Sequence, residues 1–323
     1  MPRTNIIIPF WQHDSGILPV AVDSVLAQDD GEILVTVIDD GSPVSARAEL
    51  AVAVAKDAPI VIIEQPNAGP GAARNRGLDE TPAEIEYIAF LDSDDRWLPG
   101  HLHNAKTALS KDADFYFSDA DHHERGLGYS RFAECGFDGS LGEPILEGNS
   151  LFFYRGSLFD SILGSSPVGT STVVYRRSVG LNLRFPEGLI YGEDKFLWMK
   201  LALAARRVAY STRCEAAYGR GVNIYASATW GAPQALKKFL HVAKVHRMIA
   251  SSFNLTQEQH RWNTSWLEEV RRTFAANLLH LLRHGKPVDW RVVAAYLAMD
   301  PRLASELVTT LGKGVLRLAR SSR

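Results

Sequence analysis

Short apolar segments alternate with helix-like segments through the first 120 residues, and this alternation constrains the fold more than any other feature of the sequence. The apolar segments predict β-strands at residues 6–10, 33–38, 60–63, 87–91 and 115–117. The segments between them predict helices at residues 15–27, 46–55, 69–76 and 98–109. Strands that are apolar throughout and separated by helices form parallel sheets with both faces covered. We therefore expect an α/β fold.

Two parts of the chain differ in charge, although the whole carries a formal net charge of -2. Residues 1–220 contain 20 Lys and Arg against 31 Asp and Glu, a net −11, whereas residues 221–323 contain 15 against 6, a net +9. Strand and helix signals alternate as far as residue 210, and from residue 233 the pattern is helical. We therefore expect an α/β domain at 1–220 and a basic, helical C-terminal region at 221–323.

An acidic cluster follows the fourth predicted strand directly, in the order Asp92, Ser93, Asp94 and Asp95. Carboxylates at positions i and i+2 of a tight turn can point at one divalent cation. Mg²⁺ held in this way takes its remaining ligands from substrate phosphates and water. The same residues are also typical of an acidic turn in which Asp95 caps the following helix.

A second acidic pair, Asp39 and Asp40, ends the second predicted strand. Because ligands bind beyond the carboxyl ends of parallel strands, both clusters are expected at one ligand-binding edge. Carboxylates there can accept hydrogen bonds from a nucleobase or a ribose, and the structural alternative is a turn in which Ser42 caps the next helix. The helix start at 69–71 with Arg74 suits anionic groups, but a solvated arginine in a plain loop has the same pattern.

Taken in this order, the motifs resemble those of family 2 glycosyltransferases with the GT-A fold. The matching segments are 7–9 (IIP), 37–42 (VIDDGS), 67–77 (NAGPGAARNRG) and 90–95 (FLDSDD). The resemblance implies a Rossmann-like, mostly parallel sheet with flanking helices over the first 220 residues. It also implies a nucleotide-sugar donor, here a UDP-sugar, and a divalent cation, Mn²⁺ or Mg²⁺. No Gln-x-x-Arg-Trp motif is present, so we expect a non-processive bacterial enzyme.

The resemblance also assigns roles to individual residues. It implies a nucleotide pocket lined by Pro9, Phe10, Asp39, Asp40, Arg74, Asp92 and Ser93. In this pocket Asp39 or Asp40 contacts the base, and Arg74 lies near the base or the diphosphate. Asp94 coordinates the metal ion, and Asp92 contacts the ribose or the metal.

A further resemblance lies at 192–198 (GEDKFLW), which is similar to the family's Glu-Asp segment at the start of a helix. It implies that Asp194 is the general base of an inverting transfer and that Glu193 helps to position the acceptor, a saccharide or a lipid-linked saccharide. Trp198 is a further candidate for contact with the acceptor or the diphosphate. Acidic residues are also preferred in the first turn of any helix, because the helix dipole favours anions there.

One segment departs from the family pattern. Many members have a Tyr-Arg-x-His-like segment after the last strand, whereas the counterpart here, 218–223, contains Arg220 and no histidine. Arg220 is expected to assist the leaving diphosphate. Residues 120–170, rich in Gly and aromatic side chains, are expected to form short strands and a long loop in which Tyr154 faces the acceptor.

The last segment has the pattern of a basic amphipathic helix. Its apolar side contains Leu303, Leu307, Val308, Leu311, Val315 and Leu318. Its other side contains Glu306, Lys313, Arg317 and Arg320. Such a helix either lies in an anionic membrane surface or packs its apolar side on its own domain. The first interpretation predicts that residues 303–323 contact the cytoplasmic face of the inner membrane.

Composition and motifs exclude several other classes of protein. No nucleic-acid partner is indicated, because 35 Lys and Arg face 37 Asp and Glu. We expect a cytoplasmic protein, because neither a signal peptide nor a membrane span is evident. The first strand is not followed by the glycine-rich turn of a dinucleotide-binding dehydrogenase. Two alternatives stay open: a catalytically silent GT-A domain that binds saccharides or serves in assembly, and a nucleotidyltransferase.

Overall fold

The computed structural model describes residues 3–28, 32–121, 130–148, 150–219, 221 and 228–321, with side chains described as far as residue 311. Contacts along the chain divide it into two compact units. The first comprises Met1–Leu189 and Glu193–Val222, and the second comprises Ile190–Gly192 and Asn223–Arg323. The first unit contains a sheet flanked by helices, and the second is built from helices.

The described strands of the first unit form one mixed sheet. They are β1 (Arg3–Phe10), β2 (Ile33–Asp39), β3 (Ile60–Glu64), β4 (Ile85–Phe90), β5 (Arg96–Trp97), β6 (Phe115–Asp121), β7 (Gly142–Pro144), β8 (Leu151–Tyr154), β9 (Val174–Arg176) and β10 (Val208–Ala217). Their order is β3-β2-β1-β4-β9-β6-β10-β8-β7, and β5 pairs with β10. Only β5, β8 and β9, among the described strands, run against the common direction. The predicted α/β fold with mostly parallel strands is confirmed.

The helices follow the same division. In the first unit they are α1 (Leu18–Leu26), α2 (Ala46–Glu49), α3 (Ala51–Val54), α4 (Pro70–Asp79), α5 (His101–Ser110), α6 (Arg131–Cys135), α7 (Leu158–Gly164), α8 (Arg177–Gly180) and α9 (Glu193–Ala204). In the second they are α10 (Gln234–Ser252), α11 (Gln257–Arg283), α12 (Trp290–Met299) and α13 (Arg302–Ser321).

Helix α4 lies close against the central strand β1. The side chains of Ile6, Ile7 and Ile8 are fully buried, because β1 runs between β2 and β4. A Cβ atom at Gly77 would clash with the side chain of Ile7, so only glycine lets the helix come this near. The contact fixes α4 on the sheet and with it Arg74, which lies one turn earlier on the helix.

The structure differs from the sequence expectations in three places. The predicted helix 46–55 consists of two short helices, α2 and α3, separated at Leu50. The alternation of strand and helix signals ends at residue 210, whereas β10 continues to Ala217, because it pairs with both β6 and β8. The described part of 120–170 contains short strands, β7 and β8, as expected, but also the helices α6 and α7, whose mixed glycine and aromatic composition lacks the apolar period that would have revealed them.

The helices of the second unit share an apolar cluster that includes Phe274, Tyr296 and Leu303. In α13, Leu303 is fully buried in this cluster and Leu307 packs against it, whereas Val308 and Leu311 are 70 % and 52 % exposed. The first turns of α13 thus pack on their own unit. The side chains of Lys313, Val315, Arg317, Leu318 and Arg320 lie outside the described residues. In the described part of the chain, no helix combines the length and the apolarity that crossing a bilayer requires.

Candidate active site

The two acidic clusters lie at one edge of the sheet. Strand β1 pairs in parallel with β2 on one side and with β4 on the other, so these three strands end next to one another. Asp39 lies opposite Phe10 in the register, and Asp92 follows shortly after the end of β4. This is the edge at which open α/β sheets bind their ligands.

A buried arginine joins the turn after β4 to the start of α9. Arg74 Nη2 donates to Asp92 Oδ1 (2.6 Å) and Nη1 donates to Glu193 Oε1 (2.9 Å), while the side chain is 5 % exposed. The guanidinium also lies over the ring of Phe185, 5.3 Å from its centroid. Burial lowers the pKa of Arg74, but the Asp92 and Glu193 carboxylates outweigh that effect and hold the pKa above its ordinary value. Arg74 is therefore a fixed positive charge between two carboxylates.

Glu193 ionises less readily than an ordinary carboxyl group. Burial, reinforced by the neighbouring Asp194 carboxylate, raises the pKa of Glu193 to about 7 against the opposing effect of Arg74. Burial also lowers the pKa of Lys195 to about 8, although Asp194 acts in the other direction. Asp194 therefore stands between two side chains whose charged forms are disfavoured by burial.

The carboxylate of Asp194 is held at both of its oxygens. Oδ1 accepts from the backbone N–H of Lys195 (2.7 Å), and Oδ2 accepts from Thr170 Oγ1 (3.1 Å). The neighbour of Thr170, Ser171, contacts the other acidic turn: its Oγ accepts from the N–H of Asp92 (3.1 Å) and donates to Asp95 Oδ2 (2.6 Å). The alternative in which Asp95 caps the next helix is wrong, because α5 begins after Gly100 without a side-chain cap.

Asn75 holds the segment that leads to α9. Its side chain donates to the carbonyl of Phe185 (2.9 Å) and accepts from the N–H of the same residue (2.8 Å), so both backbone groups of Phe185 are paired. Near this contact Gly71 lies against Glu193 and Phe185, where an added Cβ would be 3.3 Å from Glu193 Cγ. Helix α4 thus supplies both Arg74, which pairs with Glu193, and Asn75, which holds the backbone of Phe185.

The acidic pair at the end of β2 organises two loops. Asp39 accepts from the N–H groups of Ser42 and Ala46 (2.9 Å each), so that Asp39, and not Ser42, caps α2. Asp40 accepts from Gln65 Nε2 (2.8 Å) and from the N–H groups of two residues in the loop before α4, Ala68 and Gly69. Both carboxylates are buried. They hold the two loops at this edge of the sheet by accepting hydrogen bonds from backbone N–H groups.

The turn of Asp92 and Asp94 has the donor chemistry of a magnesium or manganese site. Asp92 commits one oxygen to Arg74 and its side chain is 33 % exposed. Gly219 and Gly221 pack so closely on Asp94 that a Cβ at either would clash with it. Hard cations are held by one or two carboxylates together with substrate phosphates. This turn can provide the carboxylates. Within the described residues, no three His, Cys, Asp or Glu side chains are grouped to hold a metal by themselves.

Phe10, Trp198 and Arg74 do not take the places that the sequence predicted. Phe10 is fully buried in the sheet core, and only its carbonyl reaches the edge, where it accepts from the N–H of Asp40 (3.0 Å). Trp198 is 1 % exposed and packs against Phe90 and two other aromatic rings, so it has no surface for an acceptor. Arg74 is buried between its carboxylates and not open to a base or a diphosphate.

The remaining candidates are placed as follows. Pro9 is half-buried at the end of β1, and Ser93 is buried with its Oγ accepting from Gln12 Nε2 (3.2 Å). Tyr154 ends β8, where its hydroxyl bonds with Ser161 Oγ (2.7 Å) and its ring packs on Phe137. Arg220 lies outside the described residues.

Sequence reasoning missed several residues that build the site. Thr170 is the last residue of the segment 120–170 and Ser171 follows it, and neither of them had an assigned role, nor did Asn75 or Gln12. The Gly-Thr-Ser-Thr segment at 169–172 carried the one available signal, because clustered hydroxyl groups beside a glycine favour a polar turn. Nothing in their spacing connects these hydroxyls to Asp92 or Asp194.

The chain is similar to known proteins in sequence and in fold. The model of the Glycosyl transferase family 2 matches residues 5–179. The chain is 32% identical over 307 residues to the succinoglycan biosynthesis protein ExoW of Rhizobium meliloti, covering 94% of this chain and 96% of that protein.

Solved structures show the same fold at low identity. The structure of S. aureus TarS 1-349 in complex with UDP-GlcNAc has a TM-score of 0.58 at 19% identity, over 87% of this chain and 73% of that one. The mannosyltransferase PcManGT from Pyrobaculum calidifontis, in complex with GDP-Man and Mn²⁺, has a TM-score of 0.57 at 13% identity, over 96% and 84% of the two chains.

The raised pKa of Glu193 predicts how stability depends on pH. A carboxyl whose pKa is higher in the folded state contributes stability at acid pH that is lost as the pH rises through its folded value, about 7. The Glu193→Gln side chain does not titrate. The unfolding temperature of wild type relative to Glu193→Gln should therefore fall between about pH 5 and about pH 8.

Thermal unfolding of both proteins over this range measures the difference. The exposed Glu187, in the loop before α9, gives the control, since Glu187→Gln changes a carboxyl that is in water before and after unfolding. A gap that widens in favour of wild type as the pH rises contradicts the prediction.

Proposed function

The chain belongs to glycosyltransferase family 2, and we propose that it moves a sugar from a UDP-sugar to a hydroxyl group of a saccharide or lipid-linked saccharide, with inversion, in polysaccharide or glycoconjugate biosynthesis. One observation carries the proposal. Asp194 stands at the start of α9 next to Glu193, and Glu193 is tied through Arg74 to Asp92 on the nucleotide edge. Asp194, the proposed general base, is thereby held at a fixed place relative to that edge.

The comparisons support the class of donor and product. TarS was solved with UDP-GlcNAc and PcManGT with GDP-Man, so both neighbours bind nucleoside diphosphate sugars. The name of ExoW refers to succinoglycan, a polysaccharide product. The relative matches this chain over nearly its full length, which supports a similar class of product here.

The reaction is a single in-line displacement. Asp194 accepts the proton of the acceptor hydroxyl while that oxygen forms a bond to the anomeric carbon of the donor. The bond from that carbon to the diphosphate breaks on the opposite face, and its electron pair leaves with the nucleoside diphosphate. Glu193 keeps Arg74 in place and so orients the first turn of α9, which carries Asp194.

The nucleotide is received at the ends of β1, β2 and β4. Pro9 and the loops shaped by Asp39 and Asp40 form the base side of this pocket, and Asp92 with Ser93 forms the ribose and diphosphate side. Asp94 and Asp92 would hold a Mg²⁺ or Mn²⁺ ion, whose charge stabilises the leaving diphosphate when the ion is bound. Arg220 assists the same leaving group.

A membrane contact of the C-terminal region is part of the same proposal. Val308 and Leu311 are exposed on α13 while the neighbouring Leu303 is buried, and residues 221–323 carry a net +9. An exposed apolar strip on a basic region binds anionic bilayers through both burial and charge. We place the exposed strip of α13 at the cytoplasmic surface of the inner membrane, where a lipid-linked acceptor is available.

Vesicle binding tests the membrane contact. Wild type should sediment with vesicles of phosphatidylglycerol and phosphatidylcholine, and less with phosphatidylcholine alone. Val308→Glu should weaken this binding, because a charge enters the apolar strip. Thr309→Glu is the matched control, since it adds the same charge at the next exposed position. Equal sedimentation of wild type and Val308→Glu would exclude this contact.

The general base gives the test of the reaction itself. The protein is incubated with Mn²⁺, oligosaccharide acceptors and a panel of UDP-glucose, UDP-galactose, UDP-GlcNAc and GDP-mannose, and the released nucleoside diphosphate is measured. Asp194→Asn should lower the turnover of the best donor about 10²- to 10⁴-fold, because an amide cannot accept the proton. Its affinity for UDP, measured by calorimetry, should stay close to that of wild type.

Asp112→Asn is the control, because it makes the same change at an exposed position between α5 and β6. It should turn over donor at the wild-type rate. Near-normal transfer by Asp194→Asn, or no release from any donor by wild type, contradicts the proposed function.

A further inference from the structure

A short 3-10 helix, Thr170–Thr172, lies between the two halves of the active site. It connects α7 to β9, and the side chains of Thr170, Ser171 and Thr172 are all buried. Three successive buried hydroxyl groups need hydrogen-bond partners, because an unsatisfied one costs stability. Where these partners lie decides what the helix does.

Ser171 is hydrogen-bonded to the acidic turn on the proposed nucleotide side of the site. Its hydroxyl accepts from the N–H of Asp92 (3.1 Å) and donates to Asp95 Oδ2 (2.6 Å), and its carbonyl accepts from Trp97 Nε1 (2.7 Å). The other oxygen of Asp95 accepts from the N–H of Gly219 (3.1 Å). Ser171 is therefore built into the turn that carries Asp92 and Asp94.

Thr170 is hydrogen-bonded to Asp194, on the proposed acceptor side of the site. Its Oγ1 donates to Asp194 Oδ2 at 3.1 Å. An ionised carboxylate only accepts hydrogen bonds, so the hydroxyl hydrogen of Thr170 is the donor. The second oxygen of Asp194 accepts from the N–H of Lys195, on its own helix, so Thr170 supplies the contact that comes from outside α9. The rotation of the carboxylate about its Cβ–Cγ bond is set by this pair of donors.

We propose that Thr170 is a positioning residue for Asp194, and that Ser171, next to it, ties Thr170 to the turn of Asp92 and Asp94. The inference rests on the proposed role of Asp194 as general base. In this proposal Thr170 acts on the reaction through the Asp194 carboxylate. This contact is separate from the hydrogen bond of Arg74, which reaches α9 through Glu193.

The test compares Thr170→Val, which keeps the shape and removes the hydroxyl, with Thr170→Ser, which keeps the hydroxyl. Turnover of the best UDP-sugar should fall about 10- to 100-fold in Thr170→Val, since a misplaced reacting group costs rate of this order. Thr170→Ser should stay within about threefold of wild type. The affinity for UDP, by calorimetry, should be unchanged in both, because the nucleotide turn is held by Ser171.

Thr172→Val is the matched control. Thr172 Oγ1 donates to the carbonyl of Gly169 within the same segment, so its loss reports on the stability of the helix without touching Asp194. This variant should lower the unfolding temperature and keep turnover near that of wild type. If Thr170→Val does not fold, Thr170→Ala and Thr170→Ser replace the pair, because both lack the methyl group and differ in the hydroxyl.

Each other outcome overturns a distinct claim. Normal turnover in Thr170→Val, with Asp194→Asn inactive, removes the positioning role and leaves the base in place. Equal losses in Thr170→Val and Thr172→Val, or no recovery in Thr170→Ser, assign the effect to folding of the segment and also overturn the proposal. Near-normal turnover in Asp194→Asn contradicts the proposed function itself.

Discussion

The active site depends on the pairing of one buried guanidinium. Arg74 lies on α4, and its two partners, Asp92 and Glu193, follow 18 and 119 residues later in the chain. A charge at this depth costs several kcal/mol unless it is paired, and removal of either partner leaves that cost uncompensated. The start of α9 and the turn after β4 are therefore placed together. Gly77 allows this arrangement, because it lets α4 approach β1 closely enough to bring Arg74 to the edge of the sheet.

The same pairing joins the two halves of the chemistry. Asp92 lies at the edge proposed to bind the nucleotide, whereas Glu193 immediately precedes the proposed base, Asp194. Arg74 connects Asp92 with Glu193, and the adjacent residues Ser171 and Thr170 connect Asp92 with Asp194. Charges and dipoles fixed in this way before the substrate arrives do not need to reorganise during the reaction. This explains why so many residues of the site are buried and touch other protein groups.

Strand and helix periodicity was enough to predict the mostly parallel sheet, because buried strands of a layered fold have uninterrupted apolar sequences. The acidic residues after the strands also predicted that Asp39 and Asp92 lie at the same edge of the sheet. The motifs did not predict which side chains are buried or which groups they form hydrogen bonds with. Phe10 was expected in the nucleotide pocket and Trp198 at the acceptor or the diphosphate. Both lie in the core, since a sequence motif does not tell which face a side chain takes. Arg74 was expected at an anionic ligand and is paired with carboxylates over 100 residues apart, a contact that only the fold creates.

The central claim is that Arg74 and Glu193 form one charged unit in the folded protein. The most direct measurement is a double-mutant cycle of Arg74→Met and Glu193→Gln in urea unfolding. It is carried out near pH 8, where most of the Glu193 carboxyl groups are ionised. Arg74→Met alone should be strongly destabilising, because it leaves Glu193 and Asp92 unpaired, and adding Glu193→Gln should restore part of the loss. We predict a coupling free energy of about 1 to 3 kcal/mol. Effects of the two substitutions that simply add, to within about 0.5 kcal/mol, would contradict the account.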